Sequence, residues 1–138
     1  METSDSGWPS VVSAYTLKQV IGQGSFGLVW EAVCNHGPNA GSNLAIKVLD
    51  LEQFKAASIE LIRKEISVMS MSKHKNILPA YVSFVDCNYL WIAMPLIDAG
   101  SVIDIMKLVR PSNQPGIQDE VVIATILRET IEGLQYLH

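Results

Sequence analysis

Apolar and polar residues alternate over residues 15–21, and residues 28–34 are rich in β-branched, aromatic and apolar types. Two strands joined through the glycines between them are the simplest structure for that order. Residues 35–43 are a cluster of turn formers, and 44–49 read as a third, apolar strand carrying Lys47 in its interior. From about residue 55 to 71 the period lengthens. Ile59, Leu61, Ile62, Ile66, Val68 and Met69 recur at three- and four-residue spacing, which predicts an amphipathic helix. Residues 72–76 break it. Two further apolar segments, 77–85 and 89–97, are separated by Asp86, Cys87 and Asn88 and predict a second hairpin, completing a five-stranded antiparallel sheet in an α+β fold. Pro95 has no N–H to give to a ladder, so the sheet should stop there. Ser101 and Asp104 stand at capping-box spacing before a short helix to about residue 109. A loop over 110–116 leads to a long helix from Asp119, with apolar Ile123, Ile126, Leu127, Ile131, Leu134 and Leu137 on one stripe. No later part of this sequence is left to cover that stripe.

Composition narrows the field only a little. A chain of 138 residues is one small domain's length. The net charge is −4 with no run of like charges, which points away from nucleic acid and from anionic membrane surfaces as partners. The N-terminus is polar and acidic where a secretory leader would be basic and then apolar, and the apolar run 89–97 is too short to span a bilayer. A soluble, cytoplasmic chain is expected, with Cys34 and Cys87 as reduced thiols. Apolar residues make up 49% of the chain, so part of its surface expects a partner. Trp8 is expected to cap the back of the first hairpin, and His74 to pack in a loop between helix and sheet. With no second ligand beside that histidine, no metal site is expected.

Chemistry concentrates in residues 22–29, which read G-x-G-x-x-G-x-V. Glycines lack Cβ, so the backbone can turn tightly and bring N–H groups close to a polyphosphate. The same spacing opens dinucleotide-binding folds, where a helix follows the last glycine and an acidic ribose ligand stands ~20 residues on. Asp50 lies near that distance, but the strand-like residues 28–34 and the Lys47 strand argue against it. Glu65 falls within the helical stripe, four residues from both Leu61 and Met69. A carboxylate on a buried face costs free energy unless a cation meets it, and Lys47 is the available cation. A Lys47–Glu65 pair would hold an ammonium beneath the glycines, where it can contact phosphates.

These motifs together resemble the N-lobe of a eukaryotic protein kinase: I-G-Q-G-S-F-G-L-V at 21–29, L-A-I-K at 44–47, K-E-I at 64–66, H-K-N-I-L at 74–78 and L-W-I-A-M at 90–94. The stretches 100–106 and 123–138 are similar to sterile-twenty kinases, most of all to the SPAK and oxidative-stress-responsive, Fray-type serine/threonine kinases. The resemblance implies a lead-in over 1–14, an N-lobe and hinge over 15–97, and the first helices of an incomplete C-lobe over 98–138. It implies ATP bound by Ile21, Gly22, Gln23, Gly24, Ser25, Phe26, Gly27, Leu28 and Val29 above, with Ala45 and the hinge behind. Met94 would be the gatekeeper, the carbonyl of Pro95 and the N–H of Ile97 would meet the adenine edge, and Ser101 would face the ribose. Lys47 would hold the α- and β-phosphates and Glu65 would hold Lys47. Protein substrates and an upstream activating kinase are the implied partners. The H-R-D and D-F-G motifs, which supply the catalytic base and the Mg2+ ligands, do not occur, so the 138 residues alone are expected to be inactive. A non-catalytic nucleotide-binding or scaffold module is the alternative.

Overall fold

The computed structural model describes residues 7–24, 27–108 and 116–138. Ser25, Phe26 and the expected end of the short helix near Val109 therefore lie outside the described residues. The chain divides into two compact units, one of residues up to 73 together with 78–96, the other of 74–77 together with 97–138.

The first unit is a five-stranded antiparallel sheet in the order β1-β2-β3-β5-β4, with strands Tyr15–Gly24, Gly27–Cys34, Asn43–Asp50, Val82–Asp86 and Tyr89–Met94. After β3 come a short 3-10 turn, Leu51–Gln53, and the α-helix α1 (Ala56–Met71). Pairing runs Lys47 opposite Val29 on one side and Ile92 on the other, and Ile46 opposite Trp30 and Ala93. Directly paired residues share a face and successive residues alternate, so this register sorts the strands into two apolar layers. One face carries Ala45, Leu49, Leu90, Ile92 and Met94, against which α1 packs Ile62, Ile66 and Met69. The other carries Ala32, Cys34, Leu44, Ile46, Val82 and Ala93. At one end of that second face Trp8 stacks on Tyr81 with ring centroids 4.4 Å apart, and the Tyr15 hydroxyl donates to the Pro9 carbonyl at 2.6 Å. The lead-in thus caps the back of the sheet, as its tryptophan suggests.

Two boundaries differ from the expectations, each for a physical reason, and a third agrees. The glycine segment is not an open turn: Gly22 pairs with Val29, Gln23 with Leu28 and Gly24 with Gly27, so the ladder continues into it. Register shifts between Leu17 and Gly22 let β1 bend before it reaches that end. The strand expected from residue 77 begins only at Val82. Pro79 cannot donate to a ladder, and the Ala80 N–H instead bonds the Met69 carbonyl of α1 at 3.3 Å. The last strand ends at Met94, immediately before Pro95, as that proline requires.

In the second unit α2 spans Val102–Leu108 and α3 Glu120–Leu137. The capping box forms: the Ser101 N–H donates to Asp104 Oδ2 at 2.8 Å and the Asp104 N–H to Ser101 Oγ at 3.2 Å. Asp119 caps α3 by accepting from the N–H groups of Val121 and Val122. Residues 74–77 lie along α3, where a Cβ on Gly133 would come within 3.3 Å of the Asn76 carbonyl and of Ile77. His74 stacks on Tyr136 of α3 at 5.0 Å, which corrects the expected position between helix and sheet.

Candidate nucleotide site

The sheet face that meets α1 encloses a cavity of about 570 Å3 within the first unit. β1 supplies Gly22, Gln23 and Gly24 to its lining, β2 Val29, β3 Lys47 and β5 Met94. These positions follow from strand parity. Ala45, Lys47 and Leu49 point to the α1 side while Leu44, Ile46 and Val48 point away, so a lysine at the odd position enters a mostly apolar chamber. From α1 come Ser58, Leu61, Ile62, Glu65, Ile66 and Met69.

Lys47 and Glu65 face the same cavity, but no ion pair within 4.0 Å joins them. Glu65 is also exposed where burial was expected. The helix is the reason: at 100° per residue, Glu65 sits about 60° round α1 from Ile62, on the flank of the stripe that Ile62, Ile66 and Met69 pack down. A carboxylate there reaches solvent and needs no buried cation.

The remaining expected contacts are spread more widely. Ala45 is 4% exposed and lies under Met94, its partner across the β3–β5 ladder. Pro95 directly follows β5, and Ile21 is exposed. Gly27 packs so closely on β3 that a Cβ there would stand 2.1 Å from the Val48 carbonyl oxygen. Leu28 pairs with Val48 and faces the opposite side of the sheet. Ile97 and Ser101 belong to the second unit, where the Ser101 hydroxyl donates to Asp104 Oδ2 at 2.7 Å. The back wall of the cavity, including Phe54, Leu78 and Ile92, was not anticipated as part of a site. For Ile92 the signal available was the apolar run of β5, which marks packing and not a ligand.

A cavity of this size is within the range of small-molecule sites, and its chemistry is asymmetric: mostly apolar walls, one ammonium from Lys47, one carboxylate from Glu65, and a glycine-bearing hairpin whose residues 22 and 24 place no side chain in it. A flat apolar base with an anionic tail fits that donor set.

Residues 15–138 match the family described as protein kinase domain. The chain is 41% identical over 131 residues to the serine/threonine-protein kinase fray2 of Dictyostelium discoideum. It is 38% identical over 136 residues to germinal center kinase 3 of Caenorhabditis elegans, and 39% identical over 131 residues to the serine/threonine-protein kinase sid1 of Schizosaccharomyces pombe. Each comparison takes in 95% of this chain but only 12%, 22% and 26% of the respective relative's length.

Proposed function

Because this chain belongs to the protein kinase domain family, with serine/threonine kinases of the Fray and germinal-centre type among its relatives, we propose that its first unit is the ATP-holding part of such an enzyme. The observation that carries the proposal is the placement of Lys47 and the Gly22–Gly24 backbone around one cavity with apolar walls. The family generally uses ATP and Mg2+, and bound Mg-ATP supplies the transferable phosphoryl group.

This chain's residues contribute holding and orientation. The Lys47 ammonium is a compact point charge suited to non-bridging phosphate oxygens, in a chamber where water screens it less than at the surface. Backbone N–H groups at the end of the β1–β2 hairpin add donors without adding bulk. Val29 and Met94 offer the apolar contact a purine needs. Glu65 lies across the same cavity, and in the nucleotide-bound state its carboxylate is assigned to orient the ammonium. Protein serine and threonine hydroxyls are the proposed acceptors of the longer protein, with an upstream kinase as activator. Free Cys34 and Cys87 support a reducing, cytoplasmic setting.

The test is a thermal denaturation series of the chain with and without Mg-ATP. A ligand that binds only the folded state stabilises it by about 2.7 kcal/mol at a hundred times its Kd. ATP is expected to raise the midpoint of the wild type, and Lys47→Met to remove most of that rise while leaving the nucleotide-free midpoint in place. An equal rise in both proteins, or none in either, contradicts the assignment.

A further inference from the structure

The sheet face turned away from α1 holds a second cavity, of about 480 Å3, with Leu17, Trp30, Val48 and Trp91 among its walls. The lead-in with Trp8 covers the end of this face next to Tyr81, where β4 starts, and leaves the other end open. That open end is acidic. Asp50 pairs with Tyr89, and Tyr89 with Asp86, so both carboxylates stand on the same face as Val48 and Trp91, one ladder step beyond them. Asp50 and Tyr89 line the cavity, and no lysine or arginine does. Among the described residues, no salt bridge uses either carboxylate.

A second feature lies beside the first. The Trp91 indole N–H is buried and has no acceptor. The Asp50 carboxylate on the same face accepts instead from the Glu52 N–H and from Gln53 Nε2, both at 3.0 Å. Indole N–H groups are normally paired when buried, so an acceptor is missing from this side of the sheet.

We propose that this groove docks a short extended segment of a partner protein that presents an apolar side chain beside lysine or arginine. The apolar side chain fills the space between Trp30 and Val48. The cation meets Asp50 and Asp86, with the faces of Tyr89 and the tryptophans adding cation–π attraction. Once the indole turns toward the groove, a main-chain carbonyl of the segment gives the Trp91 N–H its acceptor. Charge complementarity selects this occupant: a groove with the Asp50 carboxylate in its lining, Asp86 on the same ladder row and no lysine or arginine in its lining repels an acidic peptide and gains nothing electrostatically from a neutral one. The site is on the opposite face from Lys47, so it stands or falls separately from the nucleotide assignment.

The experiment uses the whole chain and a fluorescein-labelled hexapeptide of alternating arginine and leucine, read by anisotropy, with the alternating glutamate–leucine peptide as control. Saturable binding of the arginine peptide is expected, about tenfold or more tighter than the control and weakening as salt is raised. Trp30→Ala should weaken it about tenfold, as should Asp50→Asn combined with Asp86→Asn, which remove the charges while the amide oxygen introduced at position 50 can still accept from the Glu52 N–H. Trp30→Phe should retain binding, and excess ATP should not compete. Absence of binding, equal affinity for the glutamate peptide, or indifference to the two aspartates overturns the proposal. So does displacement by ATP, which would place the peptide in the Lys47 cavity, or a wild-type dimer that Trp30→Ala dissociates, which would make a second copy of the chain the occupant.

Discussion

Gly27 and Lys47 illustrate two kinds of constraint on single positions. Gly27 is held by geometry alone. Its hydrogen faces the Val48 carbonyl at the start of the β2–β3 ladder, and neither partner can retreat because both are backbone. Gly27→Ala is therefore expected to destabilise the chain by about 2 kcal/mol or more in urea denaturation, whereas Gly24→Ala should cost under about 1 kcal/mol. A Cβ on Gly24 meets nothing nearer than the Gly27 carbonyl oxygen at 4.0 Å. Equal costs at the two positions would refute this reading. Lys47, by contrast, is constrained by what it could hold. Its side of the sheet followed in the sequence only from Glu65, the carboxylate with which it was matched, because residues 44–49 are apolar almost throughout. Glu65 was placed wrongly in depth though not in neighbourhood: spacing of four from Leu61 and Met69 puts it near the stripe, but Leu61 is itself 66% exposed and so gave the stripe a false centre.

Among the elements, the strands and helices were readable because their periods are long and their terminators unambiguous. Pro95 ends β5, Asp119 caps α3, and the Ser101–Asp104 pair opens α2. What could not be read was the second face of the sheet. Residues 44–49 and 89–94 are apolar almost throughout, so the sequence does not say which side is sealed by α1 and which is left open. The attachment of residues 74–77 to α3 was equally hidden, since it depends on contacts more than fifty residues apart. There Asn76 Nδ2 donates to the Glu129 carboxylate at 2.9 Å, and Lys75 pairs with Glu129 and Glu132 at 2.7 and 3.0 Å. Lys75, Asn76 and Arg128 hold the Glu129 carboxyl down to about 2. A carboxyl depressed in the folded state contributes its stability above its unfolded pKa, near 4.5, and loses it as pH falls towards 2. The thermal midpoint should therefore decline between those values, and Glu129→Gln should flatten the decline. Superimposable acid profiles for the two proteins would rule the network out as the cause.

Over the molecule as a whole, the apolar surface is the feature with consequences for behaviour. Leu127, Ile131 and Leu134 of α3 are 56%, 61% and 53% exposed, and they form a continuous stripe at helical spacing. A patch of this kind promotes association. Light scattering is expected to report self-association of the isolated chain at micromolar concentration, and Leu127→Glu with Leu134→Lys to return it to monomer; a monodisperse wild type would contradict this. The central claim, that the cavity over the α1 face holds ATP with Lys47 at its phosphates, is tested most directly by an acyl-phosphate derivative of ATP. That reagent acylates a lysine ammonium lying against the nucleotide's phosphates, and peptide mapping by mass spectrometry identifies which one. Modification is expected to concentrate at Lys47 and to be suppressed by excess ATP. Modification spread over Lys18, Lys55, Lys64 and the other surface lysines, or unaffected by ATP, would contradict it.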